Sequence, residues 1–181
     1  KLVLDLRDNP GGLMQIAREI ADEFLVDDQL IVFTRDREGN LKNYESTSRG
    51  SWEQGALAIL INENSASASE IVAGAVQDND RGWIIGKRSF GKGLVQEEIT
   101  LKDGSRLRLT TQKYYTPSGR SIQKPYDSYE DYDGHAYLGR DGAFRTSAEL
   151  PAKEYFTRGG RRVYGGGGIA PDHIVSRDTG T

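Results

Sequence analysis

Two residues of this chain, Ser67 and Lys92, have the chemistry of a nucleophile and a base. Ser67 follows an apolar run and precedes a predicted helix, whose first backbone amides would point at a developing anion. A serine hydroxyl becomes nucleophilic when a base lies beside it and donors stabilise the oxyanion that follows. The alternative is that Ser65, Ser67 and Ser69 only cap the helix, as serines at helix starts often do.

Lys92 stands between two glycines in the segment Ser-Phe-Gly-Lys-Gly, which covers residues 89–93. These glycines allow close packing around the lysine ammonium. A lysine acts as a base only when burial or a nearby charge lowers its pKa well below the reference value of about 10.4. Taken locally, the pattern is equally typical of a turn with a solvated lysine.

Other sites of comparable chemistry find little support in the sequence. The segment from Gly86 to Lys92 matches the start of a P-loop, but Gly93 replaces the magnesium-binding hydroxyl and a strand-like run follows. The two histidines, His135 and His173, have no nucleophile motif around them, which argues against a Ser-His-Asp triad. The absence of cysteine excludes disulfides, thiolate zinc sites and cysteine nucleophiles.

The composition of the 181-residue chain fits one globular domain with its own core. Apolar residues make up 36% and charged residues 28% of the chain, as in a globular protein. The net charge is −3 and the sequence has no basic block, so it gives no sign of a positively charged surface that would bind nucleic acid. No apolar run reaches the roughly 20 residues that cross a bilayer. Because residues 1–6 already have a strand pattern, we expect a fragment, or a chain without its disordered or cleaved parts, with targeting information upstream.

The elements that would position Ser67 and Lys92 alternate between strands and helices. Apolar residues recur at helical spacing from Leu13, and a small-residue helix is predicted after Ser67. Apolar or alternating runs predict strands and hairpins at residues 2–6, 30–34 with 41–44, 56–61, 83–86, and 94–101 with 106–115. This order is typical of an α/β fold with helices packed on a mainly parallel sheet.

Two further expectations concern burial and irregular structure. The continuous apolar run at residues 56–61 predicts a strand that is covered on both faces. After Tyr115 the pattern weakens, and residues 124–162 are rich in Tyr, Asp, Gly and Arg without clear periodicity. We therefore predict an irregular surface excursion over about residues 124–162.

Several blocks of sequence combine in an ordered set with the Ser67 and Lys92 segments. The blocks are residues 3–12 (Val-Leu-Asp-Leu-Arg-Asp-Asn-Pro-Gly-Gly), 65–73, Gln77-Asp78 with Arg81, 85–86, 89–93 with Gln96, 114–122 and 168–172. With this set the chain resembles the carboxyl-terminal processing proteases, also called tail-specific proteases, of the S41 peptidase family. The resemblance implies a single catalytic core over residues 1–181. Its implied fold is α/β and ClpP/crotonase-like, with a mainly parallel sheet flanked by helices and a β-rich C-terminal portion.

The resemblance also implies the roles of the reacting side chains. Ser67 matches the family's nucleophile and Lys92 its general base, and Gln96 matches the residue that orients the lysine. The implied reaction passes through an acyl-enzyme and needs neither a metal nor an organic cofactor. The implied substrates are the C-terminal tails of proteins or peptides, bound as an added strand along a sheet edge.

Backbone and supporting groups follow from the same match. The resemblance implies an oxyanion hole made of amides from Gly11 or Gly12 and from Ala68. Three polar residues match positions that support the site or serve the structure, namely Glu70, Asp78 and Ser89. An acidic residue on the helix after the nucleophile can equally be a surface charge.

The family normally carries a PDZ domain before this core, and none lies in these 181 residues. We therefore expect a PDZ domain in the full-length protein. Members of the family work mostly outside the bacterial cytoplasm or in the thylakoid lumen, so we expect a location in the periplasm or cell envelope.

Two rival functions remain open at this point. The first is a catalytically inactive peptide-binding or scaffold protein on the same fold, although Ser67, Lys92 and Gln96 are all present. The second is an acyl-CoA enzyme, because the family's fold resembles that of the crotonases. No carboxylate pair suited to hydration chemistry is recognisable in the sequence, and the second rival would leave the serine and the lysine unexplained.

Overall fold

The computed structural model describes residues 1–124, 136–138, 144–146 and 153–175. The helices are α1 (Met14–Asp22) and α2 (Ala68–Asp78). The strands are β1 (Leu2–Asp5), β2 (Leu30–Asp36), β3 (Leu41–Glu45), β4 (Leu57–Ile61), β5 (Trp83–Gly86), β6 (Leu94–Thr100), β7 (Arg106–Tyr115), β8 (Ala136–Leu138), β9 (Phe144–Thr146), β10 (Glu154–Phe156), β11 (Arg162–Tyr164) and β12 (His173–Ile174). The predicted α/β order over residues 1–115 is confirmed.

A parallel sheet with the strand order β1-β4-β5-β12 forms one side of the fold. Its first three strands all end at the same edge, since parallel strands share one direction. The segments that follow β1, β4 and β5 therefore lie side by side, and they carry Gly12, Ser67 and Lys92 respectively. The carboxyl ends of parallel strands are the usual place for a ligand site in open α/β sheets.

An antiparallel sheet with the order β3-β2-β7-β6 forms the second layer of strands. Its two hairpins, β2–β3 and β6–β7, were both predicted from the sequence. The sequence did not predict that β2 and β7 would pair and join them, with Phe33 opposite Tyr115. The rings of these two residues stack with their centroids 5.1 Å apart.

Helix α2 contacts both β5 of the parallel sheet and β2 of the antiparallel sheet, and all of its residues are buried. Small side chains make this possible, because they let neighbouring backbone and side chains approach the helix axis. A Cβ atom at Gly74 would lie only 2.8 Å from Cγ2 of Thr116. Helix α1 packs beside α2, and neither helix has the length and apolar character of a membrane span within the described residues.

The prediction that β4 is covered on both faces is wrong for the described part of the chain. Leu57, Ile59 and Ile61 are buried, whereas the alternate residues of β4 are only half-buried. The row that contains Ala58 continues into Val3 and Trp83, which remain 62% and 51% exposed. An uninterrupted apolar run shows that a strand is apolar on both sides, but it does not show what covers each side.

The described parts of the predicted excursion, residues 124–162, form short strand pairs. Strand β10 pairs with β11, and β8 pairs with β9, both antiparallel. Arg161 joins the β10–β11 hairpin to the end of α2, since it hydrogen-bonds to Asp80, Asp172 and the backbone of Gln77. Residues 125–135, 139–143 and 147–152 lie outside the described residues.

The C-terminal end of α2 is held by a fully buried ion pair between Asp78 and Arg120. Arg120 donates to Asp78 Oδ1 and Gln77 Oε1, both at 2.6 Å, and to the carbonyl of Tyr164 at 3.1 Å. The second carboxylate oxygen of Asp78 accepts the Ser118 amide at 3.0 Å. This arrangement joins α2 to the loop after β7 and to β11.

We expect Arg120→Ala to lower the free energy of unfolding by about 3–5 kcal/mol, because it leaves the buried Asp78 charge without its partner. The control is Arg162→Ala, which breaks an exposed ion pair with Glu154 and should cost less than about 1 kcal/mol. Urea unfolding followed by tryptophan fluorescence measures both. Equal losses in the two variants would contradict a structural role for the buried pair.

Candidate active site

Hydrogen bonds connect the segment after β1 to the segment after β4. The Asp8 carboxylate accepts hydrogen bonds from the side-chain amides of Asn62 and Asn64, at 2.9 and 2.8 Å. The Asp8 amide donates to Asn62 at 2.9 Å, and the Asn9 carbonyl accepts the Ala66 amide at 3.0 Å. The amides of Asn64 and Asn62 hold the pKa of the Asp8 carboxyl below its ordinary value.

Ser67 occupies the sharp turn between the β4 segment and α2, with φ of 56° and ψ of −113°. Residues with a side chain rarely adopt this backbone conformation, so the surrounding contacts must hold it. The Ser67 amide donates to Glu70 Oε2 at 2.8 Å, and the Ser67 carbonyl accepts the amides of Glu70 and Ile71. In α/β-hydrolases, a strained turn from strand to helix exposes the nucleophilic serine.

The side chain of Glu70 is buried and joins the Ser67 turn to the Lys92 loop. Its Oε1 atom accepts the Ser89 hydroxyl at 2.5 Å and the Gly91 amide at 2.7 Å. Its Oε2 atom accepts the amides of Ser67 and Lys92, each at 2.8 Å. Burial raises the pKa of the Glu70 carboxyl, and the four hydrogen bonds act in the opposite direction.

A cavity of about 440 Å³ contains both Ser67 and Lys92 in its wall, and Gln96 lies in the same wall. Its remaining lining is largely apolar and comprises Gly12, Leu13, Met14, Ala68, Ile71, Leu94, Val95 and Tyr114, with Glu98 and Arg108 added. Lys92 is half-buried and Gln96 is exposed. Among the described residues, the Ser67 hydroxyl and the Lys92 ammonium do not hydrogen-bond to each other. Such bonds often tighten only when substrate binds.

The two glycines that the family resemblance implies for an oxyanion hole differ in their surroundings. The Gly11 amide donates to Asn9 Oδ1 at 2.9 Å, so it is already engaged. The amides of Gly12 and Ala68 have no acceptor among the described residues, and both residues line the cavity with Ser67. Of the two glycines, Gly12 is therefore the one whose amide is available to a bound anion within the described residues.

The remaining predicted residues lie at different distances from this cavity. Ser89 is buried behind it, where its hydroxyl donates to Glu70 and accepts the Ile169 amide at 2.6 Å. Asp78 lies at the other end of α2, where it pairs with Arg120. Since a helix rises about 1.5 Å per residue, Asp78 is roughly 15 Å along the helix from Ser67.

Sequence reasoning gave no role to Tyr114, which lines the cavity and is 2% exposed. Its hydroxyl contacts the backbone of both Ser67 and Lys92. In the sequence, Tyr114 stands in the block of residues 114–122 and near the end of a predicted hairpin strand. The apolar-polar alternation of the hairpin could have indicated an inward side chain, but not its contacts.

We expect Glu70→Gln to lower the free energy of unfolding by about 2 kcal/mol or more, because its amide group would place N–H donors against donors of the loops. Amide hydrogen exchange at Ser67 and Lys92 should speed up at the same time. Urea unfolding and exchange measurements check the two effects. The exposed Glu45 on β3 provides the control, and Glu45→Gln should leave both unchanged. Unaltered exchange in Glu70→Gln would show that its carboxylate does not hold these loops.

The neighbouring glycines should respond differently to alanine. A Cβ at Gly11, where φ is 87°, would overlap the Ala66 carbonyl and approach the Ala68 amide to 2.6 Å, whereas one at Gly12 meets nothing within 4 Å. We expect Gly11→Ala to cost about 1–3 kcal/mol of stability and Gly12→Ala less than about 0.5 kcal/mol. Thermal unfolding of the two variants tests this contrast, and a reversed order would refute the described packing.

Known proteins resemble this chain in both sequence and structure. A carboxy-terminal-processing protease from Bartonella bacilliformis is 52% identical over 122 residues, which make up 67% of this chain and 28% of that protein. Carboxy-terminal processing protease CtpB from Bacillus subtilis is 40% identical over 123 residues, covering 68% of this chain and 25% of that protein. The chain thus spans less than a third of the length of these curated relatives.

Solved structures agree with the sequence comparison. The photosystem II D1 C-terminal processing protease matches with a TM-score of 0.63 and 41% identity, over 67% of this chain and 31% of that one. A lipoprotein from Streptococcus agalactiae matches over 97% of this chain and 50% of its own, with a TM-score of 0.58 and 21% identity, which shows the shared fold alone. The sequence profile of peptidase family S41 matches residues 1–128. The chain is therefore a member of peptidase family S41, to which its α/β fold and its relatives among the carboxyl-terminal processing proteases both point.

Proposed function

We propose that the chain is the catalytic core of a serine endopeptidase that cleaves protein substrates near their C-terminal tails, with Ser67 as nucleophile and Lys92 as base. The observation that carries this proposal is the shared cavity, in whose wall both residues lie. The Glu70 carboxylate accepts hydrogen bonds from the backbone amides of both residues, which supports a fixed relative position of the two backbones. Membership of family S41 supports the same reaction class.

In the proposed reaction, Lys92 Nζ takes the proton from Ser67 Oγ while this oxygen attacks the carbonyl carbon of the scissile peptide. The negative charge that develops on the carbonyl oxygen is stabilised by the amides of Gly12 and Ala68. Lys92 returns its proton to the leaving amine, and an acyl-enzyme on Ser67 remains. Lys92 then takes a proton from a water molecule, whose oxygen attacks the acyl carbon; the ester bond to Ser67 Oγ breaks, and Lys92 returns the proton to that oxygen. Gln96, in the same wall, orients the lysine side chain.

The proposal extends to the domain composition of the full-length protein, to its location and to the residues that support the site. On the family resemblance alone, we propose that the full-length protein has a PDZ domain that selects C-terminal tails. We propose a location in the periplasm or cell envelope. Asp78 and Ser89 would act by holding α2 and the Lys92 loop, as their contacts with Arg120 and Glu70 support.

A catalytically inactive peptide-binding protein is the second candidate. Within the described residues no hydrogen bond joins the Ser67 hydroxyl to the Lys92 side chain, and in an inactive protein this bond would still be missing when a peptide is bound. An inactive protein would still bind peptides in the cavity but would not cleave them. The two candidates therefore differ in a single measurable property, which is turnover.

We expect Ser67→Ala and Lys92→Ala each to lower the rate of peptide cleavage by at least about a hundredfold, because each removes one half of the proton transfer. An internally quenched peptide with a free C-terminus, offered to the full-length protein, measures this rate. The controls are Ser48→Ala and Lys102→Ala, which change exposed residues and should keep full activity.

Circular dichroism must show that both site variants remain folded. A rate within tenfold of the unmodified protein in either site variant would refute the assignment. Binding of the peptide without cleavage by the unmodified protein would favour the inactive alternative.

A further inference from the structure

Tyr114 lies near the end of β7, where its side chain is 2% exposed and reaches the two loops of the site. Its hydroxyl lies 3.1 Å from the Ser67 carbonyl oxygen and within hydrogen-bonding contact of the Lys92 carbonyl oxygen. A tyrosine hydroxyl has a single hydrogen to donate, and both of these partners are acceptors. One donor is therefore shared between the nucleophile's residue and the base's residue.

This contact complements that of Glu70. The Glu70 Oε2 atom accepts the backbone amides of Ser67 and Lys92. The Tyr114 hydroxyl faces the backbone carbonyls of the same two residues. Both residues are thus held at their N–H and at their C=O by the same pair of buried side chains. Such a double attachment fixes the position and the direction of each residue's backbone, and with them the point from which each side chain starts.

On the basis of the proposed function, we propose that Tyr114 is a positioning residue of the reaction, which sets the separation of the Ser67 hydroxyl and the Lys92 amine through their backbones. The proton transfer between these groups needs hydrogen-bond distance in the reacting complex. A misplacement of about 1 Å can cost roughly a hundredfold in rate even when the altered residue lies away from the chemistry. Loss of the Tyr114 hydroxyl, with the ring kept in the cavity wall, should therefore affect the chemical step and not the affinity for substrate.

The neighbouring Tyr115 offers a matched control. It lies on the same strand, is half-buried, and stacks on Phe33 in the antiparallel sheet. Tyr115→Phe removes the same hydroxyl from the same type of residue, one position away. An effect that is specific to Tyr114→Phe therefore reports the contacts with Ser67 and Lys92 and not the loss of a hydroxyl in general.

The test measures kcat and KM of the full-length protein with the quenched peptide, and the rate of labelling by a fluorophosphonate, which reacts with an activated serine. We expect Tyr114→Phe to lower kcat and the labelling rate together by about 10- to 100-fold, with KM within about twofold. Tyr115→Phe should stay within about twofold in all three quantities. All rates are measured far below the unfolding temperature, so that a modest loss of stability in a variant does not change its fraction of folded protein or its measured rates.

The outcomes separate this inference from the function on which it rests. If the unmodified protein neither cleaves the peptide nor reacts with the fluorophosphonate, the proposed function fails. If the unmodified protein is active and Ser67→Ala is inactive, but Tyr114→Phe keeps its kcat within twofold, only the role of Tyr114 fails. A rise in KM at constant kcat would likewise overturn it.

A second variant covers the case in which Tyr114→Phe does not fold. Incorporation of p-aminophenylalanine at position 114 keeps an N–H donor at the place of the hydroxyl. We expect this variant to retain kcat within about tenfold of the unmodified protein, since the donor to both carbonyls is kept. A larger loss of kcat in the folded variant would contradict the proposal.

Discussion

One buried carboxylate governs the geometry of the site. Glu70 lies on α2, between two sheets, and each of its oxygens accepts two hydrogen bonds from the loops that carry Ser67 and Lys92. Removing a carboxylate from water is costly, and only a full set of donors offsets that cost. The loops must therefore adopt the conformations that present their N–H groups inward. The unusual backbone of Ser67 is one such conformation, since it directs its amide to Glu70 while α2 begins at the next residue.

The topology brings those donors to the carboxylate. The order β1-β4-β5 of parallel strands sets three successive loops at one edge of the sheet, and α2 starts from the middle one. The burial of all residues of α2 then allows the antiparallel sheet to close over the helix, so that β6 and β7 supply Gln96 and Tyr114 to the cavity. The site thus has one wall from the ends of parallel strands and another from a hairpin. A helix with large side chains would hold these two walls apart.

Local patterns in the sequence predicted the elements and made Ser67 and Lys92 candidates, but their roles were assigned by the family resemblance, and the contacts between them were not predicted. Ser67 was a candidate because an apolar strand, a run of small residues and a helix start stand in sequence around it, but the same pattern also fits a serine that only caps the helix. Glu70 could not be distinguished from a surface charge, because an acidic residue in the first turn of a helix is favourable in either setting, and its partners lie up to 22 residues away. The same limit applies to Tyr114. The apolar content of β4 predicted that the strand is buried. Whether one or both of its faces are covered depends on which other elements pack against it, and the sequence of the strand does not show this.

The hydroxyl of Ser89 links Glu70 to the amide of Ile169, a residue 80 positions further along the chain. Because Ser89 is synthesised before Ile169, the hydrogen bond between them forms only after the later residue has been added. At about 5–20 residues per second, the ribosome needs roughly 4–16 s to proceed from Ser89 to Ile169. Throughout that interval the nascent chain carries the Ser67 turn and Glu70 without the Ile169 amide that donates to Ser89. Completion of the network is thereby coupled to synthesis of the segment around Ile169, and a chain released before that point lacks the Ile169 donor to Ser89.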